Sequence, residues 1–165
     1  MINTGIIRKI DDLGRIVLPK EIRKSLNIYS GDDLQISIDN ERIILEKYSR
    51  LDSFEETIIK IINSFCILEK YKIYLTINDK IVNYNNEKIT NIISNIIQSR
   101  KIYKNDKNEM NIISDNIKEK GKIVILPIVI ESDLLGSIIV IGNMDINYLE
   151  NILIIIADII KKLLK

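Results

Sequence analysis

The chain has 165 residues, enough for one or two small domains, and its 24 Lys and Arg against 23 Asp and Glu leave a net charge of +1. His and Trp are absent and Cys occurs once, as Cys66, while Ile occurs 42 times and Ala only as Ala157. These counts exclude Ser-His-Asp and Cys-His catalysis, His-containing zinc sites, internal disulfides and Cys-x-x-Cys motifs.

The start, Met1-Ile2-Asn3-Thr4-Gly5, lacks a charged segment followed by an apolar one. The longest charge-free runs, such as Leu134 to Met144, reach 11 residues, against the roughly 20 that a spanning helix needs. The expectation is a cytoplasmic protein without a membrane partner. Composition shifts near residue 50, where Tyr48-Ser49-Arg50-Leu51-Asp52 reads as a short polar connector. Two domains are expected, at 1–50 and 54–165.

In the first half, Ile6 to Ile10 reads as a strand and Asp11-Asp12-Leu13-Gly14 as a turn, with Gly14 suited to positive φ. Arg15 to Leu18 reads as a second strand. Pro19 fits a helix start, and Lys20 to Leu26 forms a short helix with Ile22 and Leu26 facing inward and Asn27 as its C-terminal cap. Leu34, Ile36 and Ile38 alternate with polar residues, which marks a half-buried strand. Asp39-Asn40 begins a tight hairpin turn, and Arg42 to Lys47 returns. Fifty residues make a poor independent core, so an obligate dimer that completes one sheet system from two chains is expected.

In the second half, Ser53-Phe54-Glu55-Glu56 reads as a capping box opening a helix to about Tyr71. Ile73, Leu75 and Ile77 mark a strand, Asn78-Asp79 a turn, and Ile81 to Tyr84 a second strand. A helix is predicted from Glu87 to Arg100, with Ile89, Ile92, Ile93, Ile96 and Ile97 on one face. Tyr103 to Asn111 is polar and reads as a loop. Ile123 to Ile130 and Leu135 to Ile141 are apolar strands joined through Glu131-Ser132-Asp133. A final helix runs from about Asn147 to Leu164, and its run from Ile152 to Ala157 is apolar nearly all round, as in a buried helix.

The charge is uneven. Residues 1–24 carry Arg8, Lys9, Arg15, Lys20, Arg23 and Lys24 against Asp11, Asp12 and Glu21, a balance of +3. Residues 25–50 have a balance of −2, and residues 51–165 are neutral. The plain alternative is a solvated face, or cations paired with Asp11, Asp12 and Glu21. Cys66, between Phe65 and Ile67, reads as a buried inert thiol. The acidic pairs sit at turns or at a helix start, where local capping explains them better than metal binding. No catalytic residue, metal site or cofactor is assigned, and the chain is not expected to be an enzyme.

The run from Thr4 to Leu26, TGIIRKIDDLGRIVLPKEIRKSL, with Gly31-Asp32 and the strand ending Glu46-Lys47-Tyr48, resembles the AbrB-type swapped-hairpin DNA-binding family. This resemblance covers about the first 48 residues. It implies an interleaved N-terminal dimer that binds double-stranded DNA through Arg8, Arg15, Arg23 and Lys24, with Lys9 and Lys20 as secondary phosphate contacts. The second half resembles a GAF domain, most specifically in Leu126-Pro127-Ile128-Val129-Ile130 and Leu135-Gly136-Ser137-Ile138-Ile139-Val140. No residue of a cyclic-nucleotide or tetrapyrrole site can be matched, so ligand-binding residues stay unassigned, and both a small-molecule sensor and an assembly scaffold remain open.

The fold class implied is α+β: a swapped-hairpin β domain followed by a GAF-like domain with an antiparallel sheet and flanking helices. The resemblance further implies a transcriptional regulator of sporulation genes, a homotetramer through the second domain, and room for a small-molecule effector. The alternative is a swapped-hairpin antitoxin that binds a toxin.

Overall fold

The computed structural model describes residues 5–26, 28–66 and 70–164. By its contacts the chain divides into two compact units, Met1–Lys47 and Tyr48–Lys165. It contains both helices and antiparallel sheets, an α+β protein.

In the first unit, α1 spans Lys20–Ser25, β1 Leu34–Asp39 and β2 Arg42–Lys47. The two strands form an antiparallel hairpin in register from Leu34 opposite Lys47 to Asp39 opposite Arg42. Asn40 and Glu41 between them both have positive φ, 43° and 66°, the twist that a two-residue hairpin turn requires. Asp32 ties this hairpin to the loop before it. Its Oδ2 accepts from the Tyr29 N–H at 2.7 Å and lies 3.0 Å from Lys47 Nζ, which sits 5.6 Å above the Tyr29 ring.

The strands expected at 6–10 and 15–18 are not formed in the single chain; no strand is assigned between residues 5 and 19. The turn between them is present, closed by Gly14 N–H to Asp11 O at 2.9 Å and Asp11 N–H to Arg15 O at 3.0 Å. Gly14 adopts φ +75°. Of the two helix residues expected to face inward, Leu26 is exposed and Ile22 is only half-buried. Ile7 is 86% exposed, Ile38 81% and Leu13 75%, and Ile10, Ile16, Val17, Leu26, Ile36 and Ile43 are exposed as well. Among the described residues of this unit, α1 contributes no buried residue that would cover them. The predicted cap at Asn27 lies outside the described residues.

The second unit is a six-stranded antiparallel sheet between helices. A 3-10 turn at Asp52–Phe54 leads into α2, Glu55–Phe65; β3 is Tyr71–Ile77, β4 Lys80–Ile81, β5 Glu87–Lys88, α3 Asn91–Gln98, β6 Tyr103–Ile112, β7 Lys118–Ile130, β8 Asp133–Gly142 and α4 Ile146–Leu163. Strand order across the sheet is β5-β4-β3-β8-β7-β6. The central strands alternate between two apolar faces, as the two-residue period dictates. Leu75, Val124, Ile138 and Val140 pack with Ile58 and Ile62 of α2 and Leu149, Leu153 and Ile156 of α4. Tyr74, Ile125, Ile139 and Ile141 pack with Ile93 and Ile97 of α3 on the other side.

Several elements differ from the sequence expectation. The segment 103–111, read as a loop, belongs to edge strand β6; its ladder with β7 is made by backbone groups, so polar side chains do not oppose it, and a bulge between Asn105 and Glu109 interrupts it. The helix predicted from Glu87 begins at Asn91, because Thr90 caps it and Glu87–Lys88 pair with β4. The second strand at Ile81 to Tyr84 shrinks to Lys80–Ile81, since Asn85 and Asn86 turn the chain with φ 52°. The capping box at Ser53 is not formed. The 3-10 turn replaces it, with Asp52 and Phe54 N–H donating to the carbonyls of Ser49 and Leu51. Helix α2 ends at Phe65 and Tyr71 opens β3, although part of the predicted helix, residues 67–69, lies outside the described residues. In α4, Leu149, Ile152, Leu153, Ile156, Ala157 and Ile160 are buried, whereas Ile154 and Ile155 are exposed.

The connector is part of the second unit. Leu51 is fully buried. The buried Ser49 hydroxyl donates to Leu135 O at 3.2 Å and accepts from the Leu51 N–H at 3.2 Å. Leu51 packs where Gly136 leaves space, and a Cβ at Gly136 would come within 2.2 Å of Thr76 O and 3.0 Å of Leu51 Cδ1.

Candidate nucleic-acid interface

The six cations singled out in the sequence lie on one segment, from the residues before the 11–14 turn to α1. Arg8, Lys9, Arg15, Lys20 and Lys24 are exposed and Arg23 is half-buried. The Arg8 guanidinium donates from Nη1 to Ile7 O at 3.0 Å. Arg23 donates from Nε to Leu18 O at 3.2 Å, which ties the helix back to the chain entering it. Lys20, Arg23 and Lys24 stand three and four apart on α1 and share one face.

Arg15 is held differently. Its Nε donates to Asp11 Oδ2 at 2.7 Å. The other carboxylate oxygen, Oδ1, accepts from the Arg15 N–H at 2.8 Å and the Leu13 N–H at 3.0 Å. Asp11 thus closes the turn and grips the guanidinium at once. The Arg15 main-chain bond, then the Arg15 side chain and the Leu13 N–H, hold its carboxyl below the ordinary Asp value. The pairing of Arg15 with Asp11 that the sequence offered as the plain alternative is therefore present. The four-residue spacing between them was its signal. Tyr29 and Asp32, which fasten the loop after α1, carried no comparable signal.

Two concave regions lie among the described residues of the second unit. One, of about 470 Å³, runs along β3 and is lined by Cys66, Tyr71, Tyr74, Asn83 and Tyr84 among others. The Asn83 amide completes the sheet edge there, accepting from Leu75 N–H at 2.9 Å and donating to Ile73 O at 2.8 Å. Burial pushes the half-buried Cys66 thiol up from its ordinary pKa, with the Ile73 N–H opposing. Tyr74 donates to Glu119 Oε1 at 3.1 Å, and burial first, then the Glu119 charge, raises its phenol. The other region, also about 470 Å³, is lined by Arg50, Glu131, Asp158, Lys161 and Lys162 among others. Arg50 Nη2 lies 3.6 Å from Glu131 and 3.8 Å from Asp133, and Lys162 pairs with Asp158 at 2.7 Å. Among the described residues no group of three or more His, Cys, Asp or Glu could hold a metal ion, and no helix is long and apolar enough to cross a membrane.

Comparisons with known proteins match both halves. Residues 7–52 match the family model described as antidote-toxin recognition MazE, bacterial antitoxin. Residues 45–165 match the model described as stage V sporulation protein T C-terminal, transcription factor. Stage V sporulation protein T of Bacillus subtilis (strain 168) is 26% identical over 147 residues, 83% of each chain. The transition state regulatory protein AbrB of the same organism is 54% identical over 48 residues, 29% of this chain and 50% of AbrB. The putative transition state regulator Abh, also from that organism, is 46% identical over 48 residues, 52% of its length. The solution structure of the N-domain of the transcription factor AbrB matches at 54% identity over 29% of this chain and 92% of that one, with a TM-score of 0.28. With an AbrB-type segment ahead of a C-terminal region matched from residue 45 to 165, the chain belongs to the stage V sporulation protein T C-terminal family of transcription factors.

Proposed function

We propose that the protein is a sequence-preferring DNA-binding regulator of transcription, acting on sporulation genes in the cytoplasm. The observation that carries this reading is the 54% identity to AbrB over 48 residues, because the related AbrB N-terminal segment is described as a DNA recognition domain. Arg8, Lys9, Arg15, Lys20, Arg23 and Lys24 form the DNA-contacting surface. Arg supplies a planar fork for phosphate and guanine edges, while the Lys residues add phosphate charge. Two chains interleave at residues 5–47, which supports the reading because the exposed Ile, Leu and Val side chains there then gain cover. A GAF-like second unit joins two such dimers into a tetramer, through helices that include the exposed Ile154 and Ile155 of α4, and linking two weak heads raises avidity. The same unit is the place for a small-molecule effector.

The test is DNA binding as a function of salt. With Arg8, Arg15, Arg23 and Lys24 of both chains engaging phosphate, eight cations give a log–log slope of roughly −7. A slope near zero on DNA selected by the protein overturns the reading. Arg8→Ala should abolish binding while leaving the far-ultraviolet circular dichroism unchanged. The second reading, an antitoxin, is favoured by the match of residues 7–52 to the antitoxin model; stoichiometric co-purification of a co-encoded toxin would support it.

A further inference from the structure

We propose that Asp11 is a positioning residue for DNA recognition: it fixes the Arg15 guanidinium through Nε and leaves the two Nη groups as a preset fork for a phosphate or guanine edge. This inference rests on the reading of Arg15 as a DNA contact.

The geometry differs from that of an ordinary surface ion pair. Two mobile side chains that meet in water gain little, because each must be ordered to meet the other. Here the carboxylate is already ordered by the turn it closes. Oδ1 takes two main-chain N–H groups, from Leu13 and Arg15, and only Oδ2 is given to the guanidinium, at 2.7 Å. Gly14, with φ +75°, makes the turn that brings the Arg15 N–H back to the same carboxylate. An exposed Arg would otherwise lose much rotamer freedom on binding, and prior anchoring removes part of that cost. Arg presents five N–H donors, so one bond at Nε leaves the four Nη hydrogens.

The carboxylate has a second effect. A negative charge beside Arg15 weakens every phosphate contact made nearby, whatever the sequence. A correctly placed fork gains a bidentate contact that outweighs this, whereas an incorrectly placed one does not. Asp11 therefore trades raw affinity for discrimination.

Asp11→Asn tests this, because the Asn side-chain oxygen can still accept from Leu13 and Arg15 N–H while the charge that grips the guanidinium is lost. Full-length protein is titrated with a duplex it has selected from a random pool and with a scrambled duplex of equal length. The expected result is tighter binding to the scrambled duplex and a ratio of affinities reduced roughly tenfold, within the range of one bidentate contact. Unchanged Leu13 and Arg15 amide resonances show that the turn persists. An unchanged ratio with the turn intact overturns the proposal.

A direct measurement on the wild-type protein needs no variant. Arg15 Nε–H should exchange slowly with water, and exchange at the rate of a free guanidinium overturns the proposal even if Asp11→Asn fails to fold. Arg15→Ala separates the two claims. If it leaves both duplexes bound as before, the role of Arg15 in the interface falls. If it weakens binding while Asp11→Asn leaves the ratio unchanged, only the role of Asp11 falls.

Discussion

Between β3 and β8 the hydroxyls of Thr76 and Ser137 meet at 2.7 Å, both side chains buried. Each satisfies the other, so their worth lies in being kept together. Thr76→Val leaves the Ser137 hydroxyl without that partner and should cost about 1–3 kcal/mol, read as a lower denaturant midpoint at unchanged slope. The double variant Thr76→Val with Ser137→Ala should cost less than the sum of the two single changes. If the two effects simply add, the hydroxyls are not coupled. Asp11 shows the same principle on the surface, where one carboxylate serves three donors.

Caps distinguish a signal present in the sequence from one the fold uses. Asp145 Oδ1 accepts from the N–H groups of Asn147 and Tyr148 at 2.9 and 3.2 Å and opens α4. Asp145→Ala should lower stability by about 1 kcal/mol. Ser53→Ala should change it by less than about 0.5 kcal/mol, because no side chain caps α2 and its first turn is met by main-chain carbonyls. Parallel thermal melts would check the contrast, and equal losses would contradict it. Legibility follows the same line. Strands β3, β7 and β8 and helix α4 could be read because burial on one or both faces forces apolar runs on them. Edge strand β6 could not, because its partner recognises backbone rather than side chains. The start of α3 was missed because Ile89 extends the apolar pattern past Thr90, although Ile89 belongs to a bridge with Ser114. In the candidate interface, the six cations were legible as a charge excess, and their unequal anchoring was not.

For the molecule as a whole, the two units differ in self-sufficiency. The second buries a two-sided core, whereas among the described residues the first leaves eleven large apolar side chains exposed. Strands were expected at 6–10 and 15–18, but none is assigned there in the single chain. Stability of residues 5–47 should therefore depend on protein concentration. Tenfold dilution should lower the melting midpoint of this unit while leaving that of the second unit's core less affected. A concentration-independent midpoint, with a monomer in sedimentation equilibrium, would contradict the interleaved dimer.

The seating of Leu51 against Gly136 sets where the chain can be cut and rejoined. A graft that exchanges the first unit at residue 47 carries Ser49 and Leu51 with the sheet they complete. One that joins at residue 54 strips a fully buried side chain from the sheet and leaves the Leu135 carbonyl without the Ser49 hydroxyl. Exchange of the first unit between relatives would thus be tolerated at one seam and penalised seven residues later, even though the sequence there looks like an ordinary linker.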